Sequence, residues 1–350
     1  MNRNEDSIYR LPAEWTQGTA ILLAWPHCDT DWSYILPETV DCYRNIVTAI
    51  SAYHDVVIVT PYPDVCRRQL PQEAIKRVTI IPLTTNDTWA RDFGPLTVVD
   101  DRGDCRCLDF RFNGWGLKFA ACYDNLINRG LESIGTITAP LINCQDFVLE
   151  GGGIESDGNG TLMTTSQCQL SPNRNPVLSK SEIQQRLIQY FGAKSVIWLD
   201  HGYLAGDDTD SHIDTLARFA PDNSIVYVGC QNPEDEHFEE LSLMKQQLAE
   251  ATDCQGNPFN LFELPMPGPI YDEEGERLPA TYANFLATNR AVFMPSYGQP
   301  ANDDLAKRIL EVAFSRPVVT VDCRTLIRQH GSLHCITMQI PIQALCLENK

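Results

Sequence analysis

Residues 64–94, DVCRRQLPQEAIKRVTIIPLTTNDTWARDFG, set the frame in which the rest of the chain is read. The apolar residues of 64–76 follow a helical spacing. VTIIP (78–82) is a short apolar run of the kind that forms a buried strand. LTTNDTWARDFG (83–94) is a polar loop, and a further strand follows it.

The same order recurs four more times. Helical patterns begin near 64, 122, 181, 234 and 301, at spacings of 58, 59, 53 and 67. The matching loops are LTTNDTWARDFG (83–94), LINCQDFVLEGGG (141–153), DHGYLAGDDTDS (200–211), PMPGPIYDEEGERLPATY (265–282) and RTLIRQHG (324–331). A fivefold repeat would bring equivalent loops to one axis, as in a propeller. An ordinary α/β sheet also gathers its loops at one end, so both arrangements fit the pattern. A further helix is predicted over 38–53, where Val40, Tyr43, Val47 and Ile50 share a face. The helix over 181–191 is predicted to stop at Gly192. Apolar strands are expected at 20–25, 56–60, 195–199, 224–228, 260–264, 291–295 and 318–321.

No linker or low-complexity stretch divides the 350 residues, so one domain over 1–350 is expected. With 27 Lys+Arg against 46 Asp+Glu the net charge is −19. That balance argues against a nucleic-acid partner and fits a cationic ligand or simply a soluble acidic protein. Thirteen cysteines, an odd number spread from Cys28 to Cys346, do not read as a disulfide scaffold. The start MNRNEDSIYR lacks the apolar core of a signal peptide, and no apolar run approaches the ~20 residues of a membrane span. The expectation is a cytoplasmic protein with no membrane partner.

Four loops carry groups that are costly without a purpose. NDTWARDFGP holds Asp87, Arg91 and Asp92 beside Trp89. FVLEGGGIESDG places Glu150 before three glycines that admit a ligand close to the backbone. In GDDTDSHIDTLARF, a strand from Ser211 would point His212 and Asp214 to one face. HGSLHCITMQI sets Cys335 in an apolar strand beside His334. Each has a plainer reading. Asp92 alone is a turn residue, Glu150 a helix cap, and Cys335 a small core hydrophobe. His212, Asp214 and the neighbouring acids also suit a metal hydrolase, although no HExxH and no paired CxxC accompany them. Together, a thiol, an imidazole and three carboxylates suggest a nucleophile facing a planar cation. An imidazole activates sulfur, and carboxylates grip guanidinium in two-point forks.

These residues carry a family resemblance. RLPAEWTQGTAILLAWPH (10–27), NDTWARDFGP (86–95), FNGWGLKF (112–119), VLEGGGIESDGNGTLMTTSQCQLSPNRNP (148–176), GDDTDSHIDTLARF (206–219), YANF (282–285) and HGSLHCITMQIP (330–341) resemble the agmatine deiminases and the related Porphyromonas-type peptidylarginine deiminases of the pentein superfamily. The resemblance implies a five-bladed α/β propeller with its site on the pseudo-fivefold axis. It implies Cys335 as nucleophile, His212 as general acid/base, and Asp92, Glu150 and Asp214 as the carboxylates on the guanidinium. No metal, nucleotide or flavin is implied, and dimers or larger homo-oligomers are. The implied reaction turns agmatine into N-carbamoylputrescine and ammonia, within polyamine synthesis. Peptidyl or free arginine is the alternative substrate, and an amidino transferase and a catalytically dead binding module are the rivals. Asp208 and Trp89 are the candidates for the substrate's tail. The chain departs from the usual family pattern at Phe93, within Ser211–Thr215, and at Ser332, Leu333 and Met338. Those positions are expected where the tail would lie.

Overall fold

The computed structural model describes residues 8–16 and 18–347. Sixteen strands form five separate small sheets among these residues. Four sheets repeat one plan: two antiparallel strands, a helix, then a third strand parallel to the second. They are β4 (Leu96–Val99), β5 (Cys105–Arg111), β6 (Leu141–Val148); β7 (Glu155–Ser156), β8 (Thr161–Thr165), β9 (Ser195–Leu199); β10 (Ala217–Ala220), β11 (Ser224–Gly229), β12 (Asn260–Pro265); and β13 (Leu286–Ala287), β14 (Val292–Ser296), β15 (Val318–Asp322). The crossover helices are Ile127–Ser133, Lys180–Phe191, Phe238–Glu250 and Pro300–Phe314. A helix is the usual way to join parallel neighbours.

The fifth sheet is assembled from both ends of the chain. β16 (Met338–Pro341) pairs antiparallel with β1 (Thr19–Ala24), which runs parallel to β2 (Val56–Thr60). The crossover helix here is Leu36–Ser51, and β3 (Val78–Pro82) is added beyond β2 through helices Pro63–Gln69 and Gln72–Ile75. The repeat predicted from sequence therefore starts one helix late. The counterpart of the other crossovers is Leu36–Ser51, and the helix near 64 is an extra crossover. The cause is that this sheet's first strand lies at the far end of the sequence, where no local pattern connects it to β1.

Burial follows position in the sheet. The inner strands β8 and β11 are buried along their length, and so are β1 and β2, while the outer strands β9 and β12 are half-exposed. Helix Lys180–Phe191 begins in a capping box in which Ser179 and Glu182 bond each other's backbone N–H. It ends at Gly192, whose φ of 58° is left-handed and whose added Cβ would lie 2.1 Å from the Tyr9 carbonyl oxygen. The helix expected to begin near 122 starts at Ile127 and runs to Ser133, preceded by a 3-10 turn at Asp124–Leu126. Residues 141–148 of the predicted second loop are strand β6. Among the described residues no helix is long and apolar enough to cross a membrane.

Five connectors, 83–95, 149–154, 200–216, 266–285 and 323–337, each lead from the last strand of one sheet to the first of the next. All five send a residue into one place.

Candidate active site

The residues that meet there are Asp92 (4% exposed), Glu150 (0%), His212 (1%), Asp214 (0%), Asn284 (0%) and Cys335 (6%). Asp92 rides a single helical turn, Ala90–Phe93. Cys335 lies on a turn just ahead of β16, and not inside the apolar strand expected from sequence. His212 and Asp214 lie on the turn ahead of β10, Ile213–Thr215 with His212 at its start, again in place of a strand. Turns free these backbones from a ladder and let several side chains converge.

Asn284 organises the thiol. Its Oδ1 accepts the backbone N–H groups of His334 (2.9 Å) and Cys335 (3.3 Å) and lies 3.4 Å from the Cys335 sulfur. The sulfur is 3.9 Å from Asp214 Oδ2. His212 stands between two acids: Nδ1 is 3.7 Å from Asp92 Oδ1, and Nε2 is 3.4 Å from Glu150 Oε2. Asp92 is fixed by Trp115 Nε1 and the Gly152 backbone N–H, both 2.9 Å away. Glu150 stands at the N-cap of the 3-10 turn Gly151–Gly153, but its side chain bonds none of that turn's N–H groups; its Oε2 accepts Arg174 Nε at 2.6 Å. Sequence reasoning assigns Glu150 to the guanidinium, but this oxygen is already held by Arg174 and His212.

Gly152 lies at the centre. A Cβ built on it would sit 2.7 Å from His212 Nδ1, 2.9 Å from Asp92 Oδ1 and 3.1 Å from Asp214 Oδ2. Three buried polar atoms of this cluster, Glu150 Oε1, His212 Nδ1 and Asp214 Oδ1, have no hydrogen-bond partner. Leaving such a group unsatisfied costs about 1–3 kcal/mol. Gathering three in one spot is the signature of a polar ligand's seat.

The charges are strongly coupled. Burial pushes the Asp92 carboxyl up to about 6, against the pull of His212 and with the push of Asp214 and Glu150. Burial also raises the Cys335 thiol well above its usual range, and Asp214 and Asp92 push the same way. Burial opposes the His212 cation, yet Asp92, Cys168 and Glu150 hold the imidazole well above its usual value. Asp214 and Glu150 are kept low in spite of burial, the first by His334, the second by Arg174 and His212. These shifts favour a neutral thiol beside an imidazolium.

A cavity of about 740 Å³ opens onto Cys335 and Asp92. Trp89 both lines it and packs on Trp32, ring centroids 5.7 Å apart. Asp208 lines it half-buried, and burial raises its carboxyl. Of the departures from the family pattern only Thr215 borders this space. Phe93, Ser332, Leu333 and Met338 are buried away from it, so they do not contact a tail lying there. A second cavity of about 710 Å³, near Arg10, Trp15 and Cys254, contains none of these chemical groups.

A family profile described as Porphyromonas-type peptidyl-arginine deiminase matches residues 10–341. The chain belongs to that family. It is similar to a Porphyromonas gingivalis structure described as a "Putative Arginine Deiminase": 45% identity, 97% of this chain and 100% of that one, TM-score 0.91. It is also similar to a C. jejuni agmatine deiminase with substrate bound (37%, 97% and 99%, TM-score 0.86). A third is the agmatine deiminase of Enterococcus faecalis (29%, 95% and 96%, TM-score 0.86). Like its relatives, this deiminase is a hydrolase of guanidino carbon–nitrogen bonds, built on a mixed α/β fold of five small sheets.

Several residues of this deiminase's site escape sequence reasoning. Asn284 lies in the quoted block YANF, but an uncharged Asn gives no chemical signal by itself. Behind Asp214 lies a buried relay: Asp214 Oδ2 is 2.7 Å from His334 Nδ1, and His334 Nε2 is 2.8 Å from Glu14 Oε1. Arg91 Nη1 and Arg218 Nη2 reach Glu14 at 3.1 and 2.7 Å. Glu14 comes from the first family block, about 320 residues from its partner His334. Removing one member of a buried ion network leaves the others uncompensated, which costs about 3–5 kcal/mol. Glu14→Ala is therefore expected to lower unfolding free energy by about 3 kcal/mol. Urea titration of the variant measures this, and a loss under about 1 kcal/mol would mark the relay as a surface-like pair.

Proposed function

We propose that this chain hydrolyses agmatine to N-carbamoylputrescine and ammonia. The observation that carries the reading is the charge of the cavity. Six aspartates line it, Asp29, Asp31, Asp87, Asp92, Asp207 and Asp208, and its one Lys or Arg among the described residues is Lys118. Lys118 is already bound to Asp210 Oδ1 at 2.8 Å and to the Asp208 carbonyl at 2.6 Å. An ammonium tail finds several acids there, and a substrate carboxylate meets one lysine that two acceptors already engage.

In this reading Asp92 and Asp214 hold the guanidinium plane, and the central carbon faces the sulfur at ~3–3.5 Å. The bound cation offsets the two acids that keep the thiol neutral, so Cys335 yields its proton to solvent water through the cavity as the substrate arrives. Sulfur adds to the carbon. His212, held as imidazolium with Nδ1 toward the site and Nε2 steadied by Glu150, protonates the departing nitrogen, and ammonia leaves. An amidino-thioether remains. Neutral His212 then takes one proton from water as its oxygen adds to the same carbon, and the sulfur leaves and takes the remaining hydroxyl proton, which restores the thiol and gives the urea-type product.

Asp92 must be charged to hold the cation. With its carboxyl pushed up to about 6, kcat/KM is expected to fall roughly tenfold per pH unit below that value. Asp92→Asn should abolish this acid limb and lower kcat/KM by about 10²-fold. A full acid limb in the variant would assign it to another group.

The competing substrate, free or peptidyl arginine, is favoured by the family description and by the Porphyromonas gingivalis relative. Ammonia release measured side by side on agmatine, free arginine and a blocked arginine peptide decides between them. Turnover of either arginine substrate above that of agmatine overturns the proposal.

A further inference from the structure

Behind His212, on the side away from Asp92, lies a thiol that the reaction above does not use. Cys168 is fully buried, and its sulfur is 3.9 Å from Glu150 Oε2. His212 Nε2 is 3.4 Å from that same oxygen. One donor atom each from Glu150, Cys168 and His212 all lie within 4.8 Å of one another.

Those spacings match a zinc coordination sphere. Bonds of about 2.1 Å to oxygen, 2.05 Å to nitrogen and 2.3 Å to sulfur, set at tetrahedral angles, give ligand edges of about 3.4 Å (N···O) and about 3.6 Å (S···O). The edges in the protein are 3.4 and 3.9 Å. An outer shell is also in place. Arg174 donates to Glu150, and the Gln169 side-chain amide is 3.9 Å from the Cys168 sulfur. Glu150 Oε1 is fully buried and unpartnered, so the carboxylate keeps an uncommitted oxygen. The other three-ligand cluster, Glu14, Glu155 and His334, is different. Arg218 donates to both of its acids and lies 2.9 Å from its imidazole, so a cation already fills it.

We propose that Glu150, Cys168 and His212 form an inhibitory site for a thiophilic divalent cation, zinc in the first place. Binding displaces both the thiol proton and the Nε2 proton of the imidazolium to solvent, and leaves the fourth tetrahedral position open. With Nε2 on the metal, His212 cannot become imidazolium. The metal's charge also opposes a guanidinium a few ångströms away. A metal here stops a reaction in which none takes part.

The binding arm of the test does not depend on the proposed reaction. Cobalt(II) is titrated into purified Cys335→Ser protein, which lacks the thiol that faces the cavity. One equivalent is expected, with a sulfur-to-cobalt charge-transfer band and intense tetrahedral d–d bands, all lost in the Cys168→Ser/Cys335→Ser double variant. Absence of the band from Cys335→Ser protein, or its persistence in the folded double variant, overturns the proposal. The inhibition arm rests on His212 acting as acid/base. Zinc added to the wild-type enzyme in metal-free buffer should silence ammonia release, and EDTA should restore it. The half-inhibiting zinc concentration of Cys168→Ser, measured against its own activity, should rise more than about tenfold, a loss that even outer-shell changes produce. Equal zinc sensitivity of the two proteins would place the metal on Cys335 and overturn the assignment.

Discussion

Cys335→Ala protein is expected to release no ammonia from agmatine above the uncatalysed background, a loss on the order of 10⁶-fold in kcat. The expectation is large because the sulfur forms the bond through which both half-reactions pass. Without it, the carboxylates and His212 still assemble but have nothing to activate. The fold should survive. The side chain is small, and truncating it costs about 1 kcal/mol. Thermal melting separates the two outcomes: an inactive protein with a near-native transition supports a chemical role, and a collapsed transition a structural one. A haloacetamidine, planar and cationic like the substrate, should label Cys335 ahead of the other twelve cysteines. Peptide mapping that finds the label on another thiol, or full ammonia release by the Ala variant, sinks the nucleophile assignment.

Gly152→Ala is expected to cost nearly as much activity by a different route. The new methyl group removes no reacting atom. It enters the space bounded by His212 Nδ1, Asp92 Oδ1 and Asp214 Oδ2 at 2.7, 2.9 and 3.1 Å. Real Cβ contacts do not reach the first two distances and seldom reach the third, so His212 and Asp92 must part and Asp214 must give with them. Displacing catalytic groups by about 1 Å costs 10²-fold or more, and here three move together. A loss of 10³-fold in kcat/KM is a reasonable order of magnitude. The Gly152 φ is not left-handed, so Ala meets no backbone strain there. Steady-state kinetics alongside a melting curve measure both quantities. A Gly152→Ala enzyme with wild-type kcat/KM would show that the cradle is not where the substrate sits.

What the sequence revealed about this site depended on how loudly each residue speaks. Acids, an imidazole and a thiol in loops are conspicuous, so Asp92, Glu150, His212, Asp214 and Cys335 were legible, and the structure gathers all five. Asn284 was not, because its work is geometric: one amide oxygen takes two backbone N–H groups beside the sulfur. Local secondary structure misled at Cys335 and at His212 and Asp214, which lie on turns in place of strands. The apolar residues around Cys335 read as strand, yet they are buried on a turn by contacts from other sheets. Glu150 reads as a free acid until Arg174 is folded onto it. The phase of the repeat was hidden for the same reason as the Glu14 relay. Pairings between the two ends of a chain leave no periodic trace in between.

The pairing of β16 with β1 has a consequence for the protein's birth. A ribosome makes β1 early and β16 some three hundred residues later, so the first strand waits through most of synthesis with an unsheltered edge. Cys335 leaves the ribosome three residues ahead of β16. The Cys335 sulfur therefore joins the acids of the site only as the circuit shuts. An interrupted nascent chain that ends before that point is both open-edged and inert.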